Sequence, residues 1–290
     1  MKTMKLNKDT NILVVGLGVI GGGYAQALTK RGYTVRCITK EQKDIDYALE
    51  RNMIASGTTE VDPALVGKAD LIVFALYPHV FIEWIRQYQH LFRAGALITD
   101  VTGVKGGVVA EVQELLRPDV EFIAAHPMAG RERSGVEYSD DGVFRGANFI
   151  ITPTERNTPE AIAICKQLGE ELGFARISEL TPEAHDEMIA FLSQLTHCIA
   201  VTLMTCNDSP SLEEYTGDSF RDLTRIAKIN DAMWSELFLL NREALLRQMD
   251  SFAAEFERFR GMLAEGDTEG MREAMRRSTA RRALFDKPAK

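Results

Sequence analysis

The stretch Asn11-Ile12-Leu13-Val14-Val15-Gly16-Leu17-Gly18-Val19-Ile20-Gly21 decides the fold. Its apolar, largely β-branched start has no polar alternation, which is the pattern of a strand buried on both faces. Glycine follows at once, and a helical stretch from about Ile20 to Arg31 is closed by Gly32. The loop is therefore G-x-G-x-x-G set between a strand and a helix. Gly16 permits the tight turn, Gly18 lets the backbone approach a pyrophosphate, and Gly21 lets helix and strand pack closely. The free N–H groups and the dipole of the helix N-terminus favour an anion there. Gly16, Leu17, Gly18, Val19, Ile20 and Gly21 are thus the expected dinucleotide-binding loop.

The next strand, Thr34-Val35-Arg36-Cys37-Ile38, ends in Thr39-Lys40. An NAD site usually carries Asp or Glu at this point to bind the ribose 2′-hydroxyl. Here a hydroxyl and an ammonium stand instead, and no carboxylate repels a 2′-phosphate. Thr39 and Lys40 join the expected cofactor site, with NADP favoured over NAD. The opposing reading makes Lys40 a solvated loop residue and the cofactor NAD.

Further strands are expected at Leu71-Ile72-Val73-Phe74-Ala75, Ala96-Leu97-Ile98-Thr99, Glu121-Phe122-Ile123-Ala124-Ala125 and Asn148-Phe149-Ile150-Ile151-Thr152. Helical stretches at 80–91 and 106–116 fall between them, and the alternation predicts a parallel sheet covered on both faces. A helix at about 159–172 and a short strand at 175–178 extend this part. At Thr181-Pro182 the pattern changes to helix, with threonine as N-cap and proline in the first turn. Met188, Leu192, Leu195, Ile199 and Leu203 then form an apolar stripe, and Asn207-Asp208-Ser209-Pro210-Ser211 breaks it. A longer helix is expected from near Asn230-Asp231 to about Glu265, with Phe252, Phe256, Phe259 and Leu263 on one face. The expected fold class is an α/β Rossmann-type dinucleotide-binding domain over 1–178, followed by an all-α helical domain over 179–290.

The 290 residues carry 34 Lys+Arg against 42 Asp+Glu, a formal charge of −8. At 45% apolar and 26% charged, the chain has ordinary globular composition, which excludes a disordered polymer. The acidity argues against a nucleic-acid partner, which requires a clustered basic surface. No uninterrupted apolar run approaches the ~18 residues of a membrane span, and no signal-peptide core precedes the first strand. No membrane partner is expected, and the expected location is the cytoplasm. Cys37, Cys165, Cys198 and Cys206 include no C-x-x-C and read as buried small hydrophobes in a reducing compartment. No metal site is expected.

Five histidines are present: His79, His90, His126, His185 and His197. His126 stands apart, because it ends the run Phe122-Ile123-Ala124-Ala125 and so falls at the C-terminal end of a strand, where open α/β sheets bind ligands. An imidazole is also the natural acceptor for a hydroxyl proton during hydride loss. The stretch it opens, His126-Pro127-Met128-Ala129-Gly130-Arg131-Glu132-Arg133-Ser134-Gly135, resembles the H-P-M-A-G-x-E-x-S-G signature of the prephenate/arogenate dehydrogenase family of tyrosine biosynthesis. Asp100-Val101-Thr102-Gly103-Val104-Lys105 resembles the family's D-V-x-S-V-K. Phe220-Arg221-Asp222-Leu223-Thr224-Arg225-Ile226-Ala227 matches its F-R-D-x-T-R-I-A. His185-Asp186 and Ser193-Gln194-Leu195-Thr196-His197 are similar to its H-D and S-H-L-P-H. The resemblance runs from about residue 10 to 285.

The resemblance implies oxidative decarboxylation of a cyclohexadienol: prephenate, or alternatively arogenate, loses hydride to a nicotinamide and CO2 from the ring. His126 is the implied proton acceptor. Arg225 is the implied carboxylate ligand, with His197, Ser193 and Glu132 also against the substrate. Asp186, Ser193 and His197 are expected on one helix face looking into the cleft, with Leu192 and Ile199 turned to the core. Gly103 replaces the family's serine, so the adjacent Thr102 is taken as the candidate hydroxyl. Gln194 and Thr196 replace a histidine and a proline. Prephenate is favoured on family prevalence, and a homodimer through the helical domain is expected. The rival readings are a β-hydroxyacid dehydrogenase or imine reductase, and a regulator that binds NADP without turnover.

Overall fold

A computed structural model describes residues 6–130, 133 and 135–286. Six strands form one parallel sheet: β1 (Asn11–Val15), β2 (Thr34–Ile38), β3 (Ser56–Thr58), β4 (Leu71–Phe74), β5 (Leu97–Asp100) and β6 (Glu121–Phe122). Their order, β3-β2-β1-β4-β5-β6, places β1 between β2 and β4, with Val15 opposite Ile38 on one side and Phe74 on the other. Helices α1 (Val19–Lys30), α2 (Gln42–Glu50), α3 (Pro63–Val66), α4 (Pro78–Tyr88) and α5 (Gly106–Leu115) connect them. Successive strand residues point to opposite faces, so β1 serves two cores. Val14 packs with Leu28 and Ile45 on one face, and Val15 with Phe74, Phe81 and Trp84 on the other. This is the expected Rossmann-type arrangement, reversing at the gap between β1 and β4.

The run Glu121–Ala125 is not one strand. The last bond to β5 is donated by Ile123 N–H to the Ile98 carbonyl (2.9 Å), and the next chance is lost because Ala125 N–H goes to Asp100 Oδ1 (3.1 Å). The chain leaves the sheet there as β7 (Ala124–Met128), which pairs antiparallel with β8 (Asn148–Thr152). After α6 (Pro159–Leu172), β9 (Arg176–Glu179) completes a second sheet in the order β7-β8-β9. Pro127 has no N–H for a ladder and stands on an edge strand, where proline is tolerated. The single parallel sheet expected from the sequence is therefore two sheets.

Beyond Thr181 the fold is mostly helical: α7 (Pro182–Ile189), a π-helical segment (Ala190–Leu195), α8 (Thr196–Thr205), α9 (Asp218–Thr224), α10 (Asp231–Leu240), α11 (Arg242–Glu265) and α12 (Thr268–Arg282). Of the expected stripe only Leu195 is buried. Met188 and Leu192 are about half exposed, whereas His185, Asp186, Ile189, Gln194 and Leu195 are buried. The π segment is one reason, since its i→i+5 turns rotate later residues against a uniform 3.6 period. By length and composition, Pro182–Thr205 is apolar enough to cross a membrane, with a mean hydropathy of 1.5. Ser193, Gln194 and His197 punctuate it, so it holds no uninterrupted apolar run of that length. The helix expected over 230–265 breaks at Asn241, whose side chain donates to the Asp186 carbonyl (2.9 Å) and Gln194 Oε1 (2.8 Å). Cys37 and Cys165 are buried, but Cys198 is only partly so and Cys206 is exposed.

Strand β9 ends at Glu179 and α7 begins at Pro182, and by compactness the chain divides into the units 1–242 and 243–290. Helices α7 to α10 belong to the same unit as the sheets. Within the second unit, Arg277 of α12 bonds Glu255 of α11 (3.1 Å), and Phe252 stacks on an exposed Phe256.

At Gly21 an added Cβ would overlap the Gly16 carbonyl oxygen and meet Ala75 Cβ at 3.0 Å. Gly21→Ala should therefore cost on the order of 1–3 kcal/mol in urea denaturation and weaken dinucleotide binding in a fluorescence titration. An unchanged midpoint and affinity would show that the loop tolerates the extra carbon.

Candidate active site

The site is built from a buried ion pair outward. Lys105 is fully buried, and its ammonium donates to Asp100 Oδ2 (2.7 Å), the Ala125 carbonyl (2.7 Å) and Thr102 Oγ1 (3.2 Å). Burial lowers the lysine's pKa, and the Asp100 carboxylate opposes that shift. Three acceptors match the three N–H bonds of an ammonium, so the pair is fully satisfied. Asp100 takes the N–H of Ala125 while Lys105 takes its carbonyl, so the residue before His126 is held through the peptide groups on both sides of its Cα.

Thr102 also belongs to this network. Its backbone N–H donates to Asp100 Oδ2 (3.0 Å), and its hydroxyl bonds the same carboxylate oxygen and approaches the Val104 carbonyl (3.0 Å). With its single proton directed inward, the hydroxyl does not present itself to a ligand, although Thr102 contributes to the cavity wall. This corrects the expectation that Thr102 stands in for the missing serine. At Gly103 itself an added Cβ would lie 3.9 Å from His126 Nε2 and 3.5 Å from Leu237, so this side of the imidazole faces a glycine.

On the other side of the imidazole, His126 Nδ1 is 2.9 Å from His185 Nε2, and His185 Nδ1 is 2.8 Å from Asp186 Oδ1. Asp186 also accepts the backbone N–H groups of Lys105 and Gly106, both at 2.8 Å, at the start of α5. Asp186 is therefore a buried anchor rather than the cleft-facing residue expected. Burial, followed by repulsion from His185 and Lys105, holds His126 well below the usual histidine range. Burial lowers His185 as well, against the raising influence of Asp186. Both rings are neutral near pH 7.

His126 opens onto a cavity of about 680 Å³. One end is the glycine loop, Gly18 to Gly21, at the start of α1. That helix has no side-chain cap and no acidic residue in its first turn, and an added Cβ at Gly18 would meet nothing within 4 Å. Bare N–H groups and open space suit a phosphate there. Gly16 adopts the left-handed region (φ +93°) that its turn requires. Leu17 N–H reaches Thr39 Oγ1 (3.4 Å), which ties the loop to the end of β2. Lys40 is exposed beside it, and neither Thr39 nor Lys40 lines the cavity.

The opposite wall comes from α7 to α10. Ser193 and His197 line it, and the His197 ring lies 3.7 Å from that of Trp234, while its Nδ1 donates to the Ser193 carbonyl (2.9 Å). On a regular helix His185 and His197 would be roughly 120° apart. The wider π turns between them bring both to the side of His126. Arg225 does not line the cavity. It is exposed at the start of a 3-10 turn, and Ile226 and Lys228 line the wall instead. Glu132 lies outside the described residues. Among the described lining residues the cations are Arg133 and Lys228, and there is no Asp or Glu. Lys228 and Trp234 were missed by the sequence reading. The available signal was their closeness to the F-R-D-L-T-R-I-A stretch and the rarity of tryptophan, which occurs twice. Among the described residues no cluster of His, Cys, Asp or Glu is arranged to hold a metal.

Comparison with known proteins matches residues 24–178 to the prephenate dehydrogenase nucleotide-binding domain and residues 181–277 to the prephenate dehydrogenase dimerization domain. The chain belongs to the prephenate dehydrogenase family. The first match begins after the glycine loop, so the reading of Gly16–Gly21 rests on the loop's own geometry. Within the family, the chain is 30% identical over 284 residues to a cyclohexadienyl dehydrogenase of Zymomonas mobilis, covering 94% of this chain and 96% of the relative. It is 29% identical over 280 residues to a prephenate dehydrogenase of Bacillus subtilis, covering 92% and 74%. The crystal structure of a prephenate dehydrogenase from A. aeolicus, in complex with hydroxyphenyl propionate and NAD+, has a TM-score of 0.88 at 28% identity, covering 98% of this chain and all of that one.

The two lowered histidines make stability depend on pH. Between their folded values and the ordinary value near 6.5, the unfolded chain binds more protons than the folded one. Their contribution is complete above that ordinary value and declines as pH falls through the window, at up to about 1.4 kcal/mol per pH unit for each ring. Urea midpoints taken from pH 7.5 to 5 should fall, and His126→Asn should flatten the slope. A slope identical in the variant would remove His126 from this account.

Proposed function

We propose that this chain oxidises prephenate, with loss of CO2, to 4-hydroxyphenylpyruvate for tyrosine biosynthesis. The observation that carries the reading is a neutral His126 on the wall of a cavity that runs from an uncapped helix N-terminus to a cation-bearing helical wall. The enzyme is an oxidoreductase with a nicotinamide cofactor, which fits the bare start of α1 and the open space at Gly18. When bound, the nicotinamide supplies the acceptor for the hydride of the carbinol carbon.

The chain's own residues supply the rest. His126 accepts the proton of the substrate hydroxyl, which a neutral imidazole can do and an imidazolium cannot. As hydride leaves the carbinol carbon, the bond from the ring to its carboxylate breaks. Its electron pair enters the ring, CO2 departs, and the phenolate oxygen so formed takes back its proton from His126 to leave a phenol. The largely apolar wall of Ile189, Met233 and Leu237 keeps water from the ring. Lys228 and Arg133 are suited to the substrate's carboxylates, with His197 and Ser193 beside them. A keto acid side chain adds no positive charge to such a wall, whereas the ammonium of arogenate would face cations. This supports prephenate as the substrate.

The absence of a carboxylate at Thr39-Lys40 supports NADP as the preferred cofactor. We further propose a homodimer in the cytoplasm. The match to a dimerization domain and the exposed Phe252, Phe256 and Leu263 support the dimer, which sedimentation velocity reads directly.

A steady-state matrix of prephenate and arogenate against NADP and NAD tests the reading. The highest kcat/KM is expected for prephenate with NADP, and a preference for arogenate or for NAD would overturn the corresponding part. His126→Asn should lower kcat by on the order of 10²–10⁴ while cofactor affinity holds. Near-normal turnover would remove the proton-acceptor role.

A further inference from the structure

The contacts behind His126 form a chain with only one consistent pattern of protons. The Asp186 carboxylate accepts from the backbone N–H groups of Lys105 and Gly106, and a carboxylate can only accept from its third partner, His185 Nδ1. His185 Nδ1 therefore carries a proton, and in the neutral ring Nε2 is left as a lone pair. That lone pair is 2.9 Å from His126 Nδ1. Two lone pairs do not bond, so His126 Nδ1 carries the proton, and its Nε2 is the basic nitrogen. Nε2 is also the atom on the Gly103 side of the ring, where no side chain among the described residues bonds it.

We propose that His185, held by Asp186, is a positioning residue that locks His126 in the Nδ1–H tautomer and so presents the Nε2 lone pair to the substrate hydroxyl. The orienting bond comes from behind the imidazole, on the side away from Gly103. His185 is fully buried and touches no substrate space, so its effect passes through His126 alone. The same bond shortens the list of steps needed as the proton arrives: the imidazolium formed on His126 already donates through Nδ1 to His185, whose own proton points at the Asp186 carboxylate. The charged or titratable groups packed around the two rings are Lys105, Asp100 and Asp186, all tied into the network already described.

The kinetic arm of the test rests on the proposed prephenate reaction, and the spectroscopic arm does not. With five histidines in the chain, ring 15N spectra of histidine-labelled protein are assignable by single substitutions. At pH 7.5 His126 should show a protonated Nδ1 and an unprotonated Nε2. In His185→Leu that population should shift toward the Nε2–H tautomer, and kcat should fall about 10²-fold with KM for prephenate within about threefold. His185→Gln, whose side-chain carbonyl can accept from Nδ1–H, should restore most of the loss. A wild-type His126 found as the Nε2–H tautomer, or a His185→Leu enzyme with unchanged kcat, overturns the proposal. If His185→Leu fails to fold, the wild-type spectrum and the glutamine variant still decide it. Wild-type protein with the expected tautomer but no prephenate turnover would uphold the positioning role and overturn the proposed reaction.

Discussion

The ion pair between Lys105 and Asp100 is the interaction on which the site depends. It is wholly buried, and burying two charges is costly unless each finds full hydrogen bonding. Here the lone pairs and protons of the pair serve the backbone: one partner takes the N–H of Ala125 and the other its carbonyl. That grip draws the chain out of the first sheet just after Ile123 and starts the strand that carries His126. Removing either partner would leave a buried charge and loosen the backbone next to His126. A hydrophobic substitute of equal volume could fill the space but could not hold the two peptide groups that flank Ala125.

Asp186 extends the same logic across to the helical part. It caps the first N–H groups of α5, directly after Lys105, and orients His185 against His126. Asn241 then bonds the Asp186 carbonyl and Gln194, so the end of α10 is tied to the helix carrying both histidines. These buried polar links replace the apolar stripe expected on that helix. They also account for the compact unit running through residue 242: the helices from α7 to α10 are fastened to the sheets by directional bonds as well as by packing. The apolar residues left outside, Met188 and Leu192 among them, are half exposed in the single chain.

Local regularities were legible in the sequence. The unbroken apolar strands β1 and β4, the glycine loop and the threonine-proline start of α7 each depend on neighbours within a few residues, and they fell where expected. The motif around His126 was legible as a resemblance. Less legible was anything that depended on a partner distant in the chain. The division of Glu121–Ala125 between two sheets turns on Asp100, and the break at Asn241 turns on Asp186 and Gln194. Thr102 looked available because a hydroxyl next to Gly103 was the nearest substitute, yet its proton is directed to buried acceptors. Arg225 lies in the F-R-D-L-T-R-I-A motif and Lys228 directly after it, and a three-residue difference in a tight turn decides which of them lines the cavity.

The sequence by itself determined the Rossmann-type architecture, the helical second part and the glycine turn after β1, and it singled out His126, which the structure places in the middle of β7 rather than at a strand end. Strand burial, loop conformation and helix capping are set by short-range chemistry, so they can be read along the chain. Only the tertiary structure decided which nitrogen of that imidazole is held and by what. His126 and His185 are 59 residues apart in sequence, and hydrogen-bond direction exists only once folding has brought their rings to 2.9 Å of one another.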